Sequence, residues 1–159
     1  MPRRGQAPKR KVETDPIYRN KLVTKLINRS MKDGKKSVAQ KQVYKAFEII
    51  EKETNKKALD VFLKAIETIK PTMEVRPRRV GGAAYQVPMP VRGKRKESLA
   101  IRWLIQSART RSNSEFKTFA EKLSREIVDA ANGEGLAVKK RRDVERMAEA
   151  NRAFAHFRW

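Results

Sequence analysis

The residues that could do chemistry in this chain are few, and none has the partners that catalysis requires. His156 is the only histidine and lies three residues from the C-terminus, in what we expect to be a mobile tail. A histidine base or a metal cluster would need further acidic or ligating groups, and the sequence places none near it. The lack of cysteine excludes disulfides, thiolate metal sites and cysteine nucleophiles. The sequence therefore predicts a protein that is not an enzyme and has no metal and no cofactor.

The run Gly34-Lys35-Lys36-Ser37 is similar to the end of a nucleotide-binding P-loop, but it departs from that motif at two positions. The first glycine of the motif would fall at Arg29, and Lys36 stands where Ser or Thr should follow the lysine. We therefore interpret Gly34 as the end of a first helix. Lys35 and Lys36 then lie at the N-terminus of the next helix, where ammonium and backbone N–H groups can bind one phosphate.

The net charge indicates a polyanionic partner. Lys and Arg number 39 against 18 Asp and Glu, which gives +21 over 159 residues. Self-repulsion on this scale destabilises a small fold unless a polyanion neutralises it. No apolar run is long enough to span a bilayer, and none follows the basic N-terminus to form a secretory signal. The composition therefore favours a cytoplasmic protein that binds nucleic acid and no membrane, with one domain over residues 1–159.

The charge is concentrated in blocks. Residues 1–11 carry five basic side chains and no acid, and residues 70–96 carry eight basic side chains and one acid. Residues 43–69 and 97–138 instead balance, at five of each sign and six of each sign. A single basic run is often only a solvated helix face. Several basic runs beside two neutral blocks indicate a surface for nucleic acid.

Apolar periodicity predicts a mainly α fold, a bundle of about six helices. Apolar residues recur at helical spacing from Ala39 to Ile50 and from Leu59 to Ile69. The run Ser112-Asn113-Ser114-Glu115 predicts a capping box that opens a helix, and Asn132-Gly133 predicts its end. The remaining helices are predicted around residues 22–27, 99–108 and 138–150.

Residues 73–91 predict one protruding β-hairpin. Apolar and polar residues alternate on both sides of Gly81-Gly82, which is typical of two strands joined by a tight turn. Pro77, Pro88 and Pro90 cannot donate ladder hydrogen bonds, which argues against a central strand of a sheet. The alternative is a surface hairpin without a partner. We favour a basic ribbon that lies against nucleic acid.

Both termini are predicted to be extensions of the domain. The basic N-terminal arm, residues 1–11, contains two prolines and one glycine and has little apolar surface to bury. We expect it to be disordered in the free protein and ordered on RNA. Residues 151–159 are expected to form the C-terminal tail.

Several stretches are specific enough to indicate a family. They are Asp33-Gly34-Lys35-Lys36, the hairpin sequence MEVRPRRVGGAAYQVP at 73–88, SLAIRWL at 98–104, and 138–152 with its MAEANR ending. Together they resemble bacterial small-subunit ribosomal protein seven over essentially the whole chain.

This resemblance implies a fold and a function. The fold is a helical bundle with a protruding hairpin. The protein binds the 3′ major domain of small-subunit ribosomal RNA and nucleates assembly of the subunit head. The hairpin and the last helix lie near the exit-site tRNA and the mRNA path. The neighbours are small-subunit ribosomal proteins nine and eleven, and the chain is a monomer within the ribosome.

Two sets of site residues follow. The cations of the basic runs and helices are predicted to bind ribosomal RNA: Arg3, Arg4, Lys9, Arg10, Lys11, Lys21, Lys25, Arg29, Lys35, Lys36, Arg76, Arg92, Lys94, Arg95, Lys96, Arg102, Arg109 and Arg111. The resemblance implies that the hairpin tip and the start of the last helix lie near tRNA and mRNA: Arg78, Arg79, Val80, Gly81, Gly82, Ala83, Ala84, Lys139, Lys140, Arg141 and Arg142.

Two alternatives from other classes stay open at the level of the residues. An architectural DNA-binding protein also combines a helical body with a β-ribbon that carries Arg and Pro. Preference for structured RNA over duplex DNA of equal length separates it from a ribosomal RNA-binding protein. An RNA-processing enzyme would need a carboxylate cluster for metal ions, and metal-dependent cleavage of RNA would reveal it.

Overall fold

The computed structural model describes Gly5 and residues 12–157, and these residues are mainly helical. The elements in chain order are α1 (Lys21–Ser30), α2 (Lys36–Thr54), α3 (Ala58–Ile69), β1 (Met73–Val80), β2 (Ala83–Pro90), α4 (Lys94–Thr110), α5 (Phe119–Ala131), α6 (Gly135–Ala150) and a 3₁₀ helix (Arg152–Phe157). The predicted bundle of about six helices with one hairpin is confirmed. The predicted basic arm, apart from Gly5, lies outside the described residues. None of the described helices is long and apolar enough to cross a membrane.

The apolar stripes predicted from the sequence form the core. Phe47 of α2, Phe62 of α3, and Leu123 and Ile127 of α5 are completely buried. The rings of Phe47 and Phe62 pack with their centroids 5.5 Å apart. Burial of side chains of this size stabilises the fold by about 1.5–3 kcal/mol each. The core is built from α2, α3 and α5 together with the buried faces of α1, α4 and α6, and the outer faces of α1 and α4 are exposed.

The first helix ends earlier than predicted. Its N-terminus is capped by Asn20, whose side chain accepts a hydrogen bond of 2.7 Å from the backbone N–H of Leu22. The prediction that Gly34 ends α1 is wrong, because the helix stops at Ser30 and Met31 is already extended. Arg109 donates to the carbonyl oxygen of Ser30 at 2.9 Å, so a side chain from α4 satisfies this helix end. Gly34 instead lies, with φ +73°, in the turn before α2.

The start of α5 also differs from the prediction. The capping box at Ser112–Glu115 is wrong, since the structure has the box at Thr118 and Glu121 and the helix begins at Phe119. The side chain of Lys122 donates to the carbonyl oxygen of Arg111 at 2.6 Å. It also donates to the side chain of Asn113. These bonds hold the segment before Phe119 as a loop.

The hairpin is confirmed in its predicted register. The strands are antiparallel, with Val80 opposite Ala83, so Gly81 and Gly82 form a two-residue turn. Their φ angles of +58° and +88° match the type I′ turn, which glycine adopts without steric cost. The base of the ribbon packs on α6, and Val87 there is completely buried.

The C-terminal segment folds back on the hairpin. The sequence predicts a mobile tail here, but Arg152–Phe157 forms a 3₁₀ helix. The rings of Phe154 and Phe157 lie 5.2 and 5.1 Å from the ring of Tyr85 on β2, measured between centroids. The prediction missed this contact because it pairs residues about seventy positions apart.

Candidate nucleic-acid interface

The first group of cations lies at the base of the hairpin. Arg76, Arg92 and Arg95 line one surface cavity beside Glu74. The Glu74 side chain is 9% exposed and forms ion pairs with Arg76 and, at 3.1 Å, with Arg95. One buried carboxylate thus fixes two guanidinium groups in place and neutralises only part of their charge. Such a preorganised pair can bind the oxygens of a phosphate.

The second group lies where α1 crosses the start of α4. Lys25, Arg29 and Lys94 line a cavity of about 390 Å³ there. Lys25 is paired with Glu97, which ties the two helices together. The N-terminus of α4 has no side-chain cap, and the basic residue Lys94 occupies its first position. A cation at the positive end of a helix dipole is unfavourable; Glu97 in the first turn of α4 offsets part of that cost, and a bound anion would offset more.

The third group lies at the other end of α4. Lys32, Lys35 and Arg109 line a cavity there together with Ser30. The hydrogen bond from Arg109 to the Ser30 carbonyl oxygen holds the guanidinium over the cavity. Lys35 is at the N-cap position of α2, whose first turn contains no acid and no side-chain cap. A second uncapped helix start therefore lies beside this cavity.

These nine cations, which we name the basic strip, follow α4 from its first turn to its last. A helix of 17 residues is about 25 Å long, which corresponds to several phosphates along a nucleic-acid strand. A further cavity, which shares no residue with these three, is lined by Lys56, Asp60 and Lys64 together with residues of α5. We name the outer surface of α3 and the C-terminal half of α2 the neutral face, because its charges balance.

The other predicted RNA-binding residues, apart from Arg111, are exposed, half-buried or outside the described residues. Lys21, Lys36 and Arg102 are exposed beside the strip, and Lys96 is half-buried. The predicted contacts of the N-terminal arm lie outside the described residues: Arg3, Arg4, Lys9, Arg10 and Lys11.

Arg111 differs from the other cations that were predicted to bind RNA. Its side chain is 14% exposed and forms ion pairs with Glu126, which is completely buried, and with Asp129. Desolvation lowers the pKa of Arg111, but the hydrogen bonds that its guanidinium donates to Asp129 and Glu126 outweigh desolvation and raise the pKa above its ordinary value. The two carboxylates neutralise this guanidinium inside the protein. We therefore expect Arg111 to stabilise the fold rather than to bind RNA.

The residues predicted near tRNA and mRNA lie on the hairpin tip and on α6. Arg79 and the four residues after Val80 are exposed, while Arg78 and Val80 are half-buried. On α6, Lys139, Lys140 and Arg142 are exposed. Arg141 is half-buried and donates to the carbonyl oxygen of Thr68 at 2.8 Å, so it joins α6 to the end of α3.

Sequence reasoning missed Glu74 as a positioning residue and Lys32 as a member of the strip. Glu74 carries a signal that could have revealed it, since it is the single acid among the basic residues of 70–96. Within the described part of the chain, no three acidic or histidine side chains are grouped so that they could hold a metal ion.

Comparison with known proteins decides the family. The model of the family described as Ribosomal protein S7p/S5e matches residues 2–152. The chain belongs to this family. It is 58% identical over 159 residues to small ribosomal subunit protein uS7 of Carboxydothermus hydrogenoformans, with both chains fully covered. It is 59% identical to the uS7 protein of Thermodesulfovibrio yellowstonii, again over all of both chains. With uS7 of Helicobacter hepaticus it shares 56% identity over 157 residues, 99% of each chain.

Membership confirms the resemblance drawn from the residues. A ribosomal protein of this family is structural and not an enzyme, so the RNA-processing alternative is wrong. The architectural DNA-binding alternative is also decided against, because the family match covers the hairpin and the helical body together.

Proposed function

We propose that this protein binds the 3′ major domain of small-subunit ribosomal RNA directly through the basic strip, and that this binding nucleates assembly of the subunit head. As a family member, the protein is a structural constituent of the small ribosomal subunit in the cytoplasm. The proposal concerns the surface that holds it there. One observation carries it: three groups of cations, from α1 and the loop after it, the hairpin base and α4, line three cavities along α4, while the charges of residues 43–69 balance.

The strip has the physical properties that phosphate binding needs. Five of its nine cations lie on α1 and α4, and Glu74 fixes the guanidinium groups of Arg76 and Arg95, so these two lose little side-chain entropy on binding. The N-termini of α4 and α2, which have no side-chain cap, add partial positive charge beside the second and third groups. Neutralised phosphates release counterions, which provides most of the affinity at low salt. Lys21, Lys36, Lys96, Arg102 and the N-terminal arm extend this proposed surface.

We further propose that the hairpin tip and α6 approach the exit-site tRNA and the mRNA. The turn at Gly81-Gly82 exposes bare backbone, which allows close approach to a strand of RNA. The base of the ribbon is held in place, because the backbone N–H and the hydroxyl of Thr72 both donate to Glu145 of α6, at 3.1 and 2.8 Å. A tip on a fixed base can keep a defined position beside a passing strand.

The neutral face is the proposed side for protein neighbours. Its balanced charges attract phosphate weakly and leave polar and apolar groups for contact with proteins. The resemblance implies small-subunit proteins nine and eleven as these neighbours. We propose that the chain acts there as a monomer.

Chemical footprinting on naked small-subunit ribosomal RNA tests the proposal. The wild-type protein should protect nucleotides of the 3′ major domain. A base variant, Arg92→Gln with Lys94→Gln, should lose affinity and protection. A tip variant, Arg78→Gln with Arg79→Gln, should keep both and change only exit-site behaviour in reconstituted subunits. Equal loss in the two variants would show that the hairpin is one ribosomal-RNA clamp, and wild-type protection outside the 3′ major domain would contradict the proposal.

A further inference from the structure

The cavity that carries Lys32, Lys35 and Arg109 on its rim has an apolar interior. It measures about 250 Å³, and Val38, Ala39 and Phe119 belong to its lining. Val38 is 54% exposed, so part of this apolar lining is open to solvent. Phosphate binding explains the rim of this cavity but not its walls.

A buried acceptor lies in the same cavity. The side-chain oxygen of Gln42, Oε1, is shielded from solvent and has no hydrogen-bond partner. Gln42 also lines the cavity. Nearly all buried polar atoms in folded proteins have a partner, so a ligand with an N–H group can supply one when the half-buried amide of Gln42 turns this oxygen into the cavity.

The occupant must combine three properties: an apolar body, an N–H donor at its edge, and negative charge beside it. Asp33, the one acid in the loop between α1 and α2, is not among the residues that line the cavity, so the rim is purely cationic. A nucleotide of single-stranded RNA has all three properties. Its base has flat apolar faces and N–H groups on the Watson–Crick edge, and its phosphates are anionic.

We propose that this cavity takes one unstacked base of the ribosomal RNA, with Gln42 as the acceptor for the Watson–Crick edge. Phe119 contacts the base, and Lys32, Lys35 and Arg109 hold the phosphates on either side of it. This inference rests on the proposed function and adds a sequence-specific contact to it. The remainder of the strip positions the RNA through phosphates, which carry no sequence information.

The variant Gln42→Met tests this proposal, because it removes the acceptor and keeps the length of the side chain. Gln106→Met is the matched control, since Gln106 is exposed on α4 and lines none of the three cavities of the strip. Binding to naked small-subunit ribosomal RNA is measured together with base-specific chemical modification. Gln42→Met should weaken binding about fivefold to tenfold, the loss expected for one hydrogen bond. One base that the wild type protects should become reactive, and the control should behave as wild type.

The fold is monitored by the melting temperature, which should not fall in Gln42→Met because a buried unpaired oxygen has been removed. A lower melting temperature would show that Gln42 serves the fold, and this would overturn the base-binding role. If Gln42→Met keeps the affinity and every base protection, the cavity proposal is overturned while the proposed function stands. If wild-type protein does not bind the RNA, the proposed function fails and the cavity proposal fails with it.

Discussion

Arg111 is predicted to stabilise the fold and to take no part in RNA binding. The change to study is Arg111→Met, which keeps most of the side-chain volume and removes the charge. In the native protein the guanidinium donates to Glu126 at 2.7 Å, and Glu126 is completely buried. Without Arg111, the Glu126 carboxylate keeps only the hydrogen bond of 2.8 Å from the backbone N–H of Ala137.

The size of the effect follows from this burial. Removing one partner of a buried ion pair costs about 3–5 kcal/mol, because the other charge stays in a medium of low polarity. For a chain of this length, each kcal/mol lowers the melting temperature by about 2–4 °C, so the expected loss is about 6–20 °C. Thermal unfolding followed by circular dichroism measures it.

Two further variants separate the causes. Arg111→Met with Glu126→Gln should recover at least half of the loss, because the amide oxygen still accepts from Ala137 and no unpaired charge remains. Arg109→Met, on the exposed surface, should cost only about 1 kcal/mol, the value of its bond to Ser30. RNA affinity below the melting transition should be unchanged in Arg111→Met. If stability were unchanged and RNA affinity fell tenfold, Arg111 would lie at the interface and our reasoning would be refuted.

Three other predictions concern salt, the N-terminal arm and acid. If the strip neutralises six to ten phosphates, RNA affinity measured by filter binding should drop by about 10³–10⁵ between 50 and 200 mM salt, and nearly salt-independent binding would contradict the strip. Deletion of residues 1–11 removes five cations and little apolar surface, so RNA affinity should fall while the melting temperature stays nearly constant; a large loss of stability would show that the arm packs on the core. The pKa of Glu121 is lowered chiefly by its backbone hydrogen bond from Thr118. The contribution of Glu121 to stability is therefore present above the ordinary carboxyl pKa of about 4.3, and it is lost as the pH falls through the lower pKa of the folded state. The melting temperatures of wild type and Glu121→Gln should therefore converge only as the pH falls through this lowered pKa, and a constant difference across the acid range would argue against this linkage.

The fold could be predicted where local pattern and tertiary packing agree. The hairpin is the clearest example, since alternation on both sides of Gly81-Gly82 specifies its strands and its turn. The apolar stripes of α2 and α3 likewise became the buried faces around Phe47 and Phe62. The start of α5 failed because the chain contains two boxes of the same type, at Ser112 and at Thr118. Lys122 decides between them through contacts that one local motif does not contain.

The candidate interface was predictable in composition but not in arrangement. Block charges located the cations, yet they could not distinguish Arg109, which faces the strip, from Arg111 two residues later. That difference depends on Glu126 and Asp129, which lie 15 and 18 residues further along the chain. The unpartnered oxygen of Gln42 is invisible in the sequence for the same reason, since only packing decides whether an amide has a partner.

The most direct test of the basic strip is a comparison of two triple variants for binding to the isolated 3′ major domain RNA. The strip variant carries Arg29→Gln, Arg92→Gln and Lys94→Gln. These changes fall in the cavity at the hairpin base and in the cavity between α1 and α4. The control carries Lys52→Gln, Lys56→Gln and Lys64→Gln on α2, α3 and the loop between them, with the same change in net charge. Charge-assisted hydrogen bonds contribute about 1.5–3 kcal/mol each, so the strip variant should bind at least about a hundredfold more weakly, while the control should stay within a few fold of wild type. Equal losses in the two variants would mean that total charge, and not the strip, holds the protein on its RNA.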